Sequence, residues 1–284
     1  MFNRISENLK RLLLIIKRPE MTILPGHLAF FLVLSILPLF MVLFIIASTM
    51  PFSVGLMTDF VVETFPSDVA ELILPLFTGR TFGLETTLFI LLSIFVASKG
   101  FSSIIVIANT FYNNKRKNTI VRRIKSIILT TLLLLLFLFM IVVLAFGNNI
   151  MLFISNLIGS DLIYNYVHMF YLLLKWPFAF VFMLILINLI YTLAPDNSIK
   201  SRTAFPGALF TTITWIISTW LYSMWVDNFS NYDVVYGSLS TIIVMMIWIY
   251  LLSYLFVLGL AINANSHVEK KREGDLDEQN DKWL

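Results

Sequence analysis

Lys99 is the residue of this sequence whose surroundings most clearly require a chemical explanation. It lies in the middle of an apolar stretch, Leu84–Tyr112, that is long enough to cross a bilayer as a helix. A charge near the bilayer midplane costs at least ~2.5–3.5 kcal/mol, so it normally faces a partner or a water-filled cavity. The cores of the apolar stretches contain no Asp or Glu. Three explanations stay open: an uncharged amine, a bond to helix-end carbonyl groups, or an anionic ligand such as a lipid phosphate.

Hydroxyl and amide side chains within the apolar stretches are candidates for the rest of a binding site. The predicted substrate-binding residues are Lys99, Ser98, Ser102, Ser103, Asn188, Thr211, Thr214 and Ser218. The two threonines and Ser218 belong to a stripe that runs from Gly207 to Tyr222 at helical spacing. The alternative interpretation of this stripe is close packing between helices, because small residues commonly line helix contacts in membranes.

A second polar group, His27, Asn109 and Asn263, is predicted near the inner ends of three different helices. Side chains at one depth on several helices could line an inner vestibule. The alternative is hydrogen bonding between neighbouring helices. In the first apolar stretch Pro38 removes a backbone hydrogen bond, which predicts a kink and makes this proline a candidate hinge.

A connection dense in hydrogen-bonding groups lies between the last two apolar stretches. Its motif residues are Asp227, Asn228, Asn231, Tyr232, Asp233, Tyr236 and Gly237. The two carboxylates suit a cation or the head group of a ligand. Equally, Asn, Asp and Gly are turn formers, so the alternative is a structural turn.

No metal site, cofactor or enzymatic activity is expected from the sequence. The chain has no cysteine, and its three histidines, His27, His168 and His267, are scattered. Metal-assisted cleavage of a phosphodiester needs clustered carboxylates or histidines, whereas the acids here lie outside the cores of the apolar stretches, mostly in the predicted loops and the tail.

The composition predicts an integral membrane protein. Of 284 residues, 58% are hydrophobic and only 13% are charged, against about 45–50% and about 25% in an ordinary soluble domain. This excludes a soluble enzyme and a nucleic-acid-binding domain. The net charge of +3 does not indicate a nucleic-acid partner, because basic residues accumulate in the cytoplasmic loops of membrane proteins.

The predicted fold is all-α, a polytopic membrane protein with six transmembrane helices. The spans are Leu24–Met50, Leu84–Tyr112, Ile127–Asn148, Tyr171–Leu193, Ala204–Val226 and Gly237–Asn265. Seventeen of the twenty Lys and Arg residues fall on one side of this arrangement. Because basic residues favour the cytoplasmic side, both termini are predicted to be cytoplasmic.

Four regions flank or interrupt this six-helix domain of residues 21–266. Residues 1–20 are predicted to form an amphipathic basic helix on anionic lipids of the cytoplasmic leaflet. Pro51–Gly83 and Met151–Phe170 are predicted to form short amphipathic helices on the outer surface. Residues 267–284 are charged and are predicted to be a disordered cytoplasmic tail.

Several stretches carry a resemblance to a known family. They are LAFFLVLSILPLF (28–40), ASKGFSSIIVIANTFY (97–112), KWPFAF (175–180), LIYTLAPD (189–196), FPGALFTTITWIISTWLYSMWVDNFSNYDVVYGSL (205–239) and LGLAINA (258–264). In these stretches the chain resembles the YihY/BrkB family of bacterial inner-membrane proteins, some of which carry the older label ribonuclease BN. The resemblance implies six transmembrane helices, cytoplasmic termini and a place in the bacterial plasma (inner) membrane.

The functional hypotheses follow from Lys99 and from one departure from the family. The first hypothesis is a transporter or flippase-like protein for an amphipathic anion, such as a phospholipid or a lipid-linked precursor. The alternatives are a cation or cation/proton antiporter and a non-transporting envelope scaffold. Many members of the family have Glu where this chain has Ala261, so the acid that proton coupling would most naturally use is missing.

Overall fold

The computed structural model describes residues 13–47, 84–114, 118–136, 161–197, 199–228 and 239–281. Within these ranges the chain forms long helices and no strand. The long helices are α1 (Pro19–Ala47), α2 (Leu84–Phe111), α3 (residues 119–136), α4 (Asp161–Leu193), α5 (Ser201–Asn228) and α6 (Leu239–Asp281). Each of the six predicted spans overlaps one of these helices, and the all-α prediction is confirmed for the described residues.

Three segments within the described ranges are long and apolar enough, by length and composition, to cross a membrane: Thr87–Phe111, Ser201–Trp225 and Ile243–Ser266. Two shorter apolar helical segments are Pro19–Ser35 and Pro177–Leu193. Six crossings and cytoplasmic termini therefore stay predictions. Large apolar side chains are exposed on α2, α5 and α6, as contact with lipid requires.

Local sequence signals explain several helix ends. Pro19 begins α1, where its missing N–H costs nothing because the first N–H groups of a helix have no intrahelical acceptor. Asn118 caps α3, since its side-chain oxygen accepts a hydrogen bond from the N–H of Ile120 at 3.2 Å. After α2, Asn113 has a φ of 52°, and asparagine tolerates this left-handed conformation better than most residues.

One of the predicted outer amphipathic helices is wrong in its described part. Residues 161–170 are the first ten residues of α4 rather than part of a separate helix over 151–170. The polar side chains of this segment suggested a break, but its sequence contains no helix breaker. Pro177 lies inside α4 without ending it, which helices in membranes tolerate. The other predicted outer region, residues 51–83, lies outside the described residues.

The two ends of the chain were predicted to be a surface helix and a disordered tail. Of the predicted N-terminal helix only residues 13–16 are described as helical, followed by a turn at Lys17 and Arg18; the surface helix stays a prediction. At the other end α6 continues to Asp281, so the described part of the tail is helical where disorder was predicted. Glu, Lys, Arg and Gln, which make up seven of residues 267–281, have high helix propensity.

The chain divides into two compact units. The first contains residues 1–33, 102–122 and 177–284, and the second contains residues 34–101 and 123–176. The second unit has a small apolar core of Val42 and Leu134, against which Leu39, Ile90 and Ile94 pack. The first unit contains α5 and α6 and most of the described buried side chains.

Candidate functional site

Lys99 lies at the end of an exposed apolar face of α2. It is the central residue of the candidate span Thr87–Phe111, with twelve residues on either side, and its side chain is exposed. The exposed residues that precede it at helical spacing are Leu88, Leu91, Leu92, Phe95 and Val96. Lys99 therefore shares the surface of α2 that would face lipid, and it is not enclosed in a polar core.

The side chain of a second basic residue, Arg123 of α3, contacts the same part of α2. The guanidinium carbon of Arg123, in α3, lies 3.8 Å from the centroid of the Phe95 ring, which is a cation–π contact. Arg123 also donates a hydrogen bond from Nη2 to the carbonyl oxygen of Phe95 at 2.6 Å. The same carbonyl accepts a bond from the buried Ser98 hydroxyl at 2.7 Å. Phe95 thus fixes the guanidinium one helical turn from Lys99.

The sequence did not predict that Arg123 belongs to a helix. It was counted among the basic residues of a cytoplasmic loop, because the next span was predicted to start at residue 127. The cap at Asn118 starts α3 earlier and carries Arg123 into the second turn of the helix. An Asn followed by a long apolar-periodic segment is the signal that could have indicated this start.

The described part of the second unit contains few acidic residues. The described residues of this unit contain two acids, Asp161 at the start of α4 and, in α2 itself, Glu85. It lies ten positions before Phe95, which is about 15 Å along the helix. Neither Lys99 nor Arg123 forms an ion pair with another described side chain, and the buried Nε of Arg123 has no hydrogen-bond partner in the described part of the chain.

The predicted binding residue Thr211 lies instead in the packed contact between α5 and α6. The fully buried Tyr191 of α4 donates its hydroxyl proton to the carbonyl oxygen of Phe256 at 2.6 Å. Its oxygen lies 2.7 Å from Thr211 Oγ1. Because a tyrosine hydroxyl has one proton and a carbonyl can only accept, Thr211 is the donor in the second bond. Thr211 is itself fully buried, so its hydroxyl serves helix packing in this structure.

Two glycines bring α5 and α6 together beside these hydroxyls. A Cβ on Gly207 would collide with the carbonyl oxygen of Gly259 and with the Asn263 side chain. Asn263 accepts a hydrogen bond from the N–H of Gly207 and donates one to the carbonyl oxygen of Ala204, both at 2.7 Å. Gly207 and Thr211 of the stripe on α5 therefore pack against α6, in agreement with the packing interpretation.

The remaining candidates of the predicted binding group make local contacts. Thr214 donates to the carbonyl oxygen of Phe210 in its own helix at 2.8 Å, and Ser218 and Ser102 are half-buried. Asn188 donates to the Ser201 hydroxyl at 2.6 Å. These contacts do not bring the predicted group together into one described pocket.

The inner polar residues are engaged in separate hydrogen bonds. His27 Nδ1 lies 2.8 Å from the Ser103 hydroxyl, which joins α1 to α2. Asn109 donates to Asp196 Oδ2 and accepts from the Asp196 N–H, both at 2.8 Å. With Asn263 bonded to α5, these contacts agree with hydrogen bonding between elements, the alternative to an inner vestibule.

The predicted hinge at Pro38 and most of the predicted outer motif are not tested by the described residues. α1 continues through Pro38 as one helix, and the kink and hinge stay predictions. The backbone of Asp227 and Asn228 ends α5, whereas residues 231–237 of the outer motif lie outside the described residues. Among the described residues, no group of three or more His, Asp or Glu side chains could hold a metal ion.

The helices, their exposed apolar faces and the central lysine define a helical integral membrane protein. The chain belongs to the BrkB family, because a family model described as Virulence factor BrkB matches residues 16–283. It is accordingly a multi-pass protein of the bacterial inner membrane.

Individual relatives match over shorter regions. The ribonuclease-like protein YfkH of Bacillus subtilis (strain 168) is 38% identical over 127 residues, which are 45% of each chain. The UPF0761 membrane protein PSHAa0171 of Pseudoalteromonas translucida is 32% identical over 94 residues, which are 32% of this chain and 31% of that protein. The aligned parts thus span less than half of these relatives. No solved structure matches the chain.

Proposed function

We propose that this protein binds an amphipathic anion, such as a phospholipid or a lipid-linked precursor, and moves it across the membrane. The observation that carries the proposal is the exposed Lys99 at the centre of a candidate span and at the end of an apolar helix face. A ligand with an anionic head and apolar chains would match both parts of this surface. The proposal includes six crossings with cytoplasmic termini.

The lysine's surroundings favour an anionic ligand over a bond to helix-end carbonyl groups. α2 continues on both sides of Lys99, so the carbonyl groups beside it belong to the helix interior and not to a helix end. Exposure on the lipid side gives the amine room to reach a head group. A lipid phosphate would offset the cost of a cation at this depth.

Proton-coupled exchange of cations is less well supported. The candidate span Ile243–Ser266 of α6 contains no acidic residue, and Ala261 is fully buried at the position where the resemblance implies an acid. The ribonuclease-like name belongs to the relative YfkH, and we propose that the present chain acts without catalysing a reaction.

Reconstitution in liposomes tests the transport proposal directly. Vesicles containing the protein and a trace of head-group-labelled phosphatidylglycerol are treated with an impermeant quencher, and the accessible fraction of the label is followed over time. We expect the wild-type protein to speed the exchange of label between leaflets and Lys99→Ala to reduce that rate at least about tenfold. Lys200→Ala is the matched control, because Lys200 is an exposed lysine just before α5.

Exchange no faster than in protein-free vesicles would contradict the transport proposal. A Lys99→Ala rate equal to the wild-type rate would contradict the role of Lys99. If sodium or potassium gradients drive pH changes in everted vesicles while lipid exchange is absent, the antiporter alternative replaces the proposal.

A further inference from the structure

The strongest unexplained arrangement in the structure is a pair of cations beside exposed apolar side chains of α2 and α3. Lys99 is exposed on α2, and Arg123 of α3 is fixed on Phe95, one turn before Lys99. Residues four apart on a helix have Cβ atoms about 5–6 Å apart on the same face. Phe95, which holds the guanidinium, and Lys99 are four apart, so the two cations lie at the same face of α2.

The Arg123 contacts hold a guanidinium in place and leave most of its donors unused. A guanidinium has five N–H donors in a planar fork. Among the described residues only Phe95 accepts one of them, and the buried Nε–H has no partner there. An unsatisfied donor within a membrane is costly, so an acceptor supplied by a ligand would stabilise this arrangement.

The number and kind of charges indicate the ligand. Two cations that form no ion pair with a described side chain suit an anion that presents at least two oxygens, and arginine commonly binds phosphate through two parallel hydrogen bonds. Exposed apolar side chains on both helices, such as Leu92 on α2 and Ile124 and Ile128 on α3, would lie along acyl chains. Phosphate on a lipid fits this surface better than phosphate in solution.

The geometry points to a head-group site in which Lys99 and Arg123 together bind the phosphate of an anionic phospholipid that carries no compensating amine. Phosphatidylglycerol has this chemistry, whereas phosphatidylcholine places a cation beside its phosphate. Arg123 binds the ligand directly, and Phe95 positions Arg123. This inference rests on the proposed function for its choice of a lipid, but the binding that it describes does not require transport.

A binding measurement on the purified full-length chain tests the site. The delipidated protein in nonionic detergent is titrated with phosphatidylglycerol, phosphatidylcholine or inorganic phosphate, and bound molecules are counted by native mass spectrometry. We expect saturable binding of phosphatidylglycerol and at least about tenfold weaker binding of the other two. Lys99→Gln and Arg123→Gln should each weaken phosphatidylglycerol binding about tenfold, which is ~1.4 kcal/mol.

Two further variants separate loss of the site from loss of the fold. Arg122→Gln removes the neighbouring arginine, which does not contact Phe95. This variant should leave binding unchanged. Arg123→Lys keeps the charge without the planar fork, and should bind phosphatidylglycerol between wild type and Arg123→Gln. Since Lys99 is exposed, Lys99→Gln should remain folded even if Arg123→Gln does not.

The outcomes distinguish this inference from the transport proposal. Equal binding of phosphatidylglycerol and phosphatidylcholine, or unchanged binding by folded Lys99→Gln, would overturn the head-group site. Tight binding of inorganic phosphate would overturn the lipid assignment. If the variants lose binding while no protein moves lipid between leaflets, the site stands without transport. If transport persists at the wild-type rate in both variants, transport stands without this site.

Discussion

Gly207 of α5 and Gly259 of α6 approach each other so closely that neither position has room for a methyl group. A Cβ on Gly259 would overlap Thr211 Oγ1 and would lie 2.8 Å from both the Gly207 carbonyl oxygen and the Tyr191 hydroxyl. Small residues at helix contacts allow this approach in membranes, where apolar burial between helices contributes little. The contact therefore depends on shape and on the hydrogen bonds around it.

Gly259→Ala should destabilise the protein because the added methyl group forces α5 and α6 apart. Overpacking of a well-packed contact costs typically about 1–3 kcal/mol, and the Tyr191 and Thr211 hydrogen bonds would also lengthen. The measurement is the melting temperature of the purified protein in detergent. Gly26→Ala is the matched control, because its Cβ would be 3.9 Å from Tyr250, an ordinary contact. Similar melting temperatures for the two variants would disprove the tight contact.

Tyr191→Phe should lose the hydroxyl that connects α4 to both α5 and α6. We expect a loss of stability of ~0.6–1.7 kcal/mol, from the average to the maximum measured for hydrogen bonds between membrane helices. A double-mutant cycle with Thr211→Val measures whether the two hydroxyls act together. Tyr250→Phe, at an exposed tyrosine, is the control. Strict additivity of Tyr191→Phe and Thr211→Val would mean that their hydrogen bond contributes nothing.

Asn109→Asp should make stability depend on pH. The Asn109 amide donates to Asp196 Oδ2, and the substitution replaces that donor with a second carboxylate oxygen. The two charges repel when both groups are ionised, so stability should fall near pH 7 and recover toward about pH 4 as one carboxyl gains a proton. Melting temperatures across this range check the prediction. Asn109→Ala, which removes the donor to Asp196 without adding charge, should not recover, and equal pH profiles would refute the explanation.

Single cysteines should report the predicted topology, because the chain has none of its own. In intact cells, an impermeant maleimide should label Ser67→Cys, in the predicted outer connection, without permeabilisation. It should label Ser6→Cys, in the predicted cytoplasmic tail, only after the membrane is opened. The reverse pattern would show that the positive-inside rule assigns this chain wrongly.

The sequence predicted the helices well because long apolar stretches in a membrane have few alternatives to helix. It also placed Lys99 at the centre of its span. Helix continuity was harder to predict. The polar residues among the first ten of α4 suggested a separate segment, although the helix is continuous there. The charged composition of the tail is compatible with a helix and with disorder alike.

Which side chains contact one another in the candidate site depends on where helices start and how turns fold, and composition does not determine either. The position of Arg123 follows from the start of α3 at Asn118, a few residues before the apolar stretch becomes uniform. The Asn109–Asp196 pair depends on the conformation of the turn after α4, which brings together residues 87 positions apart. In contrast, the packing of Gly207 and Thr211 followed from simple helical spacing.

The length of α6 has a mechanical consequence. Its 43 residues correspond to about 65 Å of helix, roughly twice the thickness of the hydrocarbon layer. The fifteen residues from 267 to 281 follow the candidate span without a break, as a rod about 22 Å long. Because α6 is continuous, a rotation or tilt of its buried half would swing this rod through an arc. Displacements too small to resolve at the Gly207–Gly259 crossing would become measurable at the rod's tip.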